Sequence, residues 1–156
     1  MEEGETAYRL HRRFDRIGRL VGDEGMERLL GAHVMVVGLG GVGSFAVEAL
    51  ARSGIGKLTL VDFDRVCVTN SNRQLQALQG NIGKPKATTL AERVQPVNPQ
   101  ARVEPLMAFY NDRTSDEILA LRPDWIVDAI AHLWGVERAE ADRITDRNAR
   151  RLFGMT

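Results

Sequence analysis

The chain has 156 residues, 44% apolar and 27% charged, and its 21 Lys plus Arg cancel its 21 Asp plus Glu. That balance excludes a disordered polyelectrolyte and a global field that would gather nucleic acid, and the sequence holds no run of about 18 apolar residues able to span a membrane. A single cysteine, Cys67, rules out internal disulfides and cysteine-rich zinc sites, while the polar start "MEEGETAYRL" does not read as a secretory leader, so the expected compartment is the cytoplasm.

Residues 1–30 read as a helical arm, with the arginine-rich "RLHRRFDRIGR" over 9–19 followed by a short helix near 24–30. "HVMVVG" at 33–38 is a short, mostly β-branched run closed by glycine, which predicts a buried strand. In the helix that follows, the periodicity of "VGSFAVEALARSG" puts Val42, Phe45, Ala46, Ala49 and Leu50 on one face, the stripe a helix turns to its core. "KLTLVDFD" at 57–64 predicts the second strand, and "KPKATTLAERVQPVNP" a helix with Pro85 at its start and a proline-marked exit. "ARVEPL" predicts a third strand, "DRTSDEILAL" a helix, and "PDWIVDAI" at 123–130 a fourth strand apolar enough to be central. Strands alternating with helices imply a parallel sheet covered by helices on both faces, a Rossmann-like α/β fold over residues 31–130. Residues 131–156 are charged and poor in β-branched residues, and no strand is expected there.

The turn "VVGLGGVGS" carries the chemistry. Gly38, Gly40 and Gly43 have dinucleotide-loop spacing, with Gly41 in addition. Such glycines allow a tight turn, close approach of backbone to phosphate, and close helix–strand packing. The phosphate then meets free N–H groups at the helix start. Asp62 closes the next strand about 20 residues further on, where an acid accepts ribose hydroxyls. A glycine turn fits NAD as well as ATP. The stretch after Asp62 separates the two, since Asn70, Arg73 and Lys86 gather polar and cationic groups beside the phosphates. Hydride transfer has no use for them. Attack on an α-phosphate does, because charge develops there and on the departing pyrophosphate.

The ordered motifs "GLGGVGS…GIGKLTLVDFD…TNSNRQ…GKPKA" resemble the adenylating domain of the ubiquitin-activating superfamily, shared with bacterial enzymes of molybdopterin and thiamine synthesis. The likeness runs from about Arg13 to Ile130, and "RFDRIGRLVGDEG", "ALARSGIGKLTLVDFDRVCVTNSNRQ" and "WIVDAI" are most similar to the tRNA threonylcarbamoyladenosine dehydratase branch. The resemblance implies ATP as substrate, with Gly38, Gly40, Gly41 and Gly43 lining the triphosphate and Asp62 holding the ribose. It implies phosphate contacts for Asn70, Arg73 and Lys86, catalytic roles for Arg73 and Lys86, and an Arg16 that reaches the ATP of a partner subunit in a homodimer. It implies tRNA as the partner, whose threonylcarbamoyladenosine carboxylate is joined to AMP and then closes a ring with net loss of water.

Simpler readings stand beside these. Arg73 and Lys86 also fit ordinary surface charges, Asp64 fits either nucleotide contact or a solvated turn, and the arginines around Arg16 fit a solvated helix face or contacts to tRNA phosphates. Cys67, within a strand-like "RVCV", is expected to be packed and inert. His11, His33 and His132 are scattered and define no metal site; Trp125 and Trp134 are expected to pack.

One position departs from the family. Where the family reads "DAID", with the second acid on the magnesium that accompanies ATP, this chain reads Asp128-Ala129-Ile130-Ala131. Alanine offers no oxygen ligand. From Ala131 onward no family match is expected, as after a deletion or frameshift, which lowers the activity expected of this chain and makes the fold incomplete relative to the family. The competing functions are a nucleotide-binding remnant without catalysis, an activating enzyme for a ubiquitin-like sulfur carrier, and a dehydrogenase.

Overall fold

The computed structural model describes residues 12–129. Four parallel strands form one sheet in the order β3-β2-β1-β4, with β1 His33–Val37, β2 Lys57–Val61, β3 Arg102–Leu106 and β4 Trp125–Asp128. The strands are in register through His33 opposite Lys57, Lys57 opposite Arg102, and Val34 opposite Trp125. β1 is buried at every position, as its β-branched run requires when both faces are covered. Helices α2 (Gly41–Arg52) and α3 (Lys86–Val97) cover the face that presents Val34, Val36, Leu58 and Leu60. Ile118 of the short α4 (Ser115–Leu119) packs with Met35, Val37 and Val61 on the other face. The Rossmann-like fold with helices on both faces is therefore present.

The arm folds back onto this body. After a 3-10 turn at Arg12–Phe14, helix α1 (Asp15–Gly31) is broken at Gly22, whose φ of 72° is left-handed, so two helical pieces follow one another over the described part of the arm. Phe14 and Met26 are buried beside Gly54. Arg13 Nη1 donates to the carbonyls of Pro96 and Val97 at 3.3 and 3.2 Å, satisfying the carboxyl end of α3.

Three expectations are corrected. On α2 the predicted inner face is largely outside: Val42 is 73% and Phe45 56% exposed, while Gly43, Ser44, Val47 and Ala51 are buried. The reason is steric, because a Cβ on Gly43 would lie 1.8 Å from the Gly38 carbonyl oxygen, so this small-residue face must seat against the turn. β4 is an edge strand among the described residues rather than a central one, and is only half-buried beyond Trp125. Trp125 does not pack; it is 69% exposed. Ile130, Ala131, His11, His132, Trp134 and the 131–156 tail lie outside the described residues.

At the amino edge of the sheet, His33 donates its N–H to Asp124 Oδ2 at 2.7 Å, and its Nε2 shares a hydrogen bond with Thr59 Oγ1 at 2.8 Å. Burial, reinforced by Lys57, holds this imidazole below its ordinary pKa of 6.5.

Candidate functional site

At the carboxyl ends of the strands, where open parallel sheets bind ligands, one pocket is lined by Gly38, Asp62, Phe63, Asp64, Lys86, Ala108, Phe109 and Tyr110 together with Val37 and Val61. The glycine turn forms one side. Gly38, at φ 88°, donates its N–H to Val61 O at 2.9 Å. Gly40 caps α2 without any side-chain hydrogen bond, which leaves the first-turn N–H groups without a side-chain acceptor and open to an anion.

Leu39, in the middle of the turn, is held at both of its peptide groups. Asp62 Oδ2 accepts its N–H at 2.7 Å, and Gln76 Nε2 donates to its carbonyl at 2.7 Å. Asp62 Oδ1 accepts the Asp64 N–H at 2.8 Å. A carboxylate has about four acceptor positions, so Asp62 keeps capacity for a ligand after shaping the turn. Ser44, fully buried, braces the same region by donating to Gly41 O and accepting the Leu75 N–H, each at 3.3 Å.

Lys86 begins α3 and is buried, with its Nζ on Asp64 Oδ2 at 2.7 Å. Asp64 is thus an ion-pair partner at the pocket wall, its side chain still more than half exposed to solvent. Arg73 lies across the glycine turn, its Cγ 3.5 Å from where a Cβ on Gly41 would stand. Its guanidinium donates to Thr69 O at 3.1 Å and Asn72 Oδ1 at 2.9 Å, both neutral oxygens. Asn70 is buried behind this loop: its Oδ1 accepts the Cys67 N–H at 3.0 Å, and its own N–H donates to Cys67 O at 3.0 Å. The Asn70 carbonyl takes the N–H groups of Arg73 and Gln74, so Asn70 shapes the segment that presents Arg73. Arg16 is exposed on α1 and does not line the pocket of its own chain.

The structure brings Gly38, Asp62, Asp64 and Lys86 together, with Gly40, Gly41, Gly43 and Arg73 beside them. It also adds groups the sequence did not reveal. Phe63 and Phe109 meet edge to face with centroids 4.8 Å apart, giving the pocket an aromatic wall. Phe109 had a signal, since it follows the third strand on the ligand-binding edge. Gln76 had none, because its partner Leu39 is 37 positions away. Cys67 is corrected: it is exposed rather than packed, and the Thr69 hydroxyl, donating to its Sγ at 3.2 Å, holds the thiol below its ordinary pKa.

Residues 14–137 match the ThiF family. The chain belongs to the ThiF family. The match passes Ile130, so the family pattern continues a little beyond the point at which it was expected to stop. This ThiF-family chain is 49% identical over 118 residues to a tRNA threonylcarbamoyladenosine dehydratase of Haemophilus influenzae, covering 76% of the chain and 45% of that protein. It is 42% identical over 110 residues to a sulfur carrier protein adenylyltransferase of Thermus thermophilus, covering 70% of the chain and 40% of that protein. Among solved structures, the Escherichia coli tRNA N6-threonylcarbamoyladenosine dehydratase in complex with ATP superposes with a TM-score of 0.75 at 44% identity, over 76% of this chain and 49% of that one. The chain thus spans less than half the length of each of these three relatives.

Proposed function

We propose that the pocket binds ATP and supports adenylation of a carboxylate, that of threonylcarbamoyladenosine in tRNA. The observation that supports this most directly is the convergence of Gly38 of the glycine turn, Asp62 and the buried Lys86 on one pocket. It occurs in a chain 44% identical to a dehydratase solved with ATP. The ribose hydroxyls donate to the free acceptor positions of Asp62, the adenine lies along Phe63 and Phe109, and the triphosphate runs over Gly38, Gly40, Gly41 and Gly43 to the α2 N-terminus. A carboxylate oxygen attacks the α-phosphorus and pyrophosphate leaves. Lys86, shifting from Asp64 to phosphate, and Arg73 offset the charge that develops on both groups. Intramolecular attack on the activated carboxylate by the same tRNA side chain then expels AMP, releases a proton and closes the ring. Asn70 acts by holding the Arg73 loop, and Arg16 completes the site of a second copy in a homodimer. We place this chemistry in the cytoplasm.

Magnesium is implied by the resemblance, but the described residues do not fit it. Ala131 stands where the family carries its magnesium-binding acid and offers no oxygen ligand, no three His, Cys, Asp or Glu side chains gather among the described residues, and Asp64 Oδ2 is engaged by the Lys86 ammonium.

Exchange of labelled pyrophosphate into ATP tests the reading. Exchange that depends on Lys86 and Arg73 supports adenylation; ATP binding without exchange would leave a nucleotide-binding module. A sulfur-carrier activator is the second reading, favoured by the Thermus thermophilus relative. It predicts exchange stimulated by a carrier ending in Gly-Gly rather than by tRNA.

A further inference from the structure

From Arg65 to Ala91 the sequence holds four cations, Arg65, Arg73, Lys84 and Lys86, and no acid, although the charges of the whole chain cancel. Elsewhere cations such as Arg28, Arg52 and Lys57 face carboxylates. Arg65 and Lys84 do not. Both are exposed, and they bond to neutral oxygens: Arg65 Nη1 to Gly83 O at 2.9 Å and Lys84 Nζ to Asn81 Oδ1 at 3.3 Å.

These two charges sit on a braced ribbon. Val66 N–H donates to Lys84 O at 2.9 Å, Gly83 N–H to Val66 O at 2.8 Å, and Lys86 N–H to Asp64 O at 3.0 Å, around an antiparallel bridge between Arg65 and Pro85. The same ribbon carries Asp64 and Lys86 into the pocket wall. Arg65 follows Asp64 directly, and Lys84 precedes Lys86 by two positions, so both charges belong to the ribbon that supplies part of the pocket wall.

We infer that Arg65 and Lys84 form a docking edge for the phosphate backbone of an RNA substrate. The inference rests on the reading above, in which a carboxylate carried by RNA reaches the pocket. A carboxylate that must meet the α-phosphate brings its attached backbone across the rim. Two cations without carboxylate partners, fixed by backbone pairing, are suited to receive that backbone.

The test measures binding of a tRNA transcript to the whole chain between 50 and 200 mM salt, for the wild type and for Arg65→Gln/Lys84→Gln, with ATP affinity and melting temperature followed in parallel. Removing one cation from a phosphate reduces the fall in affinity across that range by about 3.5-fold, so the double variant should fall by roughly tenfold less than the wild type. ATP affinity and melting should not change. An unchanged salt dependence overturns the inference. So does a wild-type chain that binds no tRNA, or a double variant that weakens binding to phosphatidylserine vesicles and not to tRNA. The two readings fail separately. Pyrophosphate exchange without tRNA binding removes the docking edge alone, whereas tRNA binding through Arg65 and Lys84 without exchange removes the adenylation reading alone.

Discussion

Replacing Asp62 by alanine should strike the fold and the ligand together. Its two oxygens accept the N–H groups of Leu39 at 2.7 Å and Asp64 at 2.8 Å. Leu39 is fully buried, so its N–H would lose a charged acceptor with no water to replace it, a cost of about 1.5–3 kcal/mol. The Asp64 side is exposed, and water can take over much of that bond. A total near 2–3 kcal/mol corresponds to a drop in melting temperature of roughly 5–10 °C for a chain of this size. ATP should lose its ribose acceptor and a correctly held glycine turn at once, which weakens binding by about a hundredfold or more, since each 1.4 kcal/mol is tenfold. Asp62→Asn keeps one carbonyl oxygen and should lose about half as much stability. Differential scanning fluorimetry and ATP calorimetry on the three proteins decide the matter. An Asp62→Ala chain that melts with the wild type, or that binds ATP equally well, would refute the placement of Asp62 at the centre of the site.

Gly43→Ala should abolish cooperative melting, because its Cβ would stand 1.8 Å from the Gly38 carbonyl oxygen; a normal melt would show that the turn can move aside. Cys67 should be alkylated readily near neutral pH, and Thr69→Val should slow the reaction by removing the hydroxyl that lowers the thiol's pKa, so equal iodoacetamide rates would contradict the hydrogen bond. His33 is depressed in the fold, so the unfolded chain takes up its proton first and stability should decline as pH falls below about 6.5. Above that pH the contribution is fully present; His33→Gln should flatten this part of a melting-temperature profile, and an unchanged slope would place the acid sensitivity elsewhere. On α2, Val47→Ala should cost about 2 kcal/mol and Phe45→Ser well under 1, as measured by urea denaturation, and the reverse order would restore the predicted helix face.

The strands were legible because β1, mostly β-branched, and β2, mostly apolar, are short runs buried from both sides, and the glycine turn because backbone geometry there admits few residues. Val42 and Phe45 misled because hydrophobic periodicity cannot register a close approach of main chain, here Gly43 against Gly38, that selects small residues for the inner face. Ser44 is buried for its hydrogen bonds and reads as polar in any hydropathy pattern. Lys86 was legible as a helix-start cation, but its burial against Asp64 depends on a pairing across 22 positions. Cys67 was misjudged because "RVCV" resembles a strand, whereas Cys67 precedes a 3-10 turn and faces outward.

The grip on Leu39 has a kinetic consequence. Its two clamps, Asp62 and Gln76, lie 23 and 37 positions downstream, so the glycine turn cannot take its final shape while the chain before it folds alone. Closing those loops must come before the turn is rewarded with its hydrogen bonds. Competence to hold a nucleotide therefore arrives late, together with the packing of β2 and the segment that follows it. A fluorescent ATP analogue added during refolding would then mark completion of the domain rather than formation of its first strand and helix.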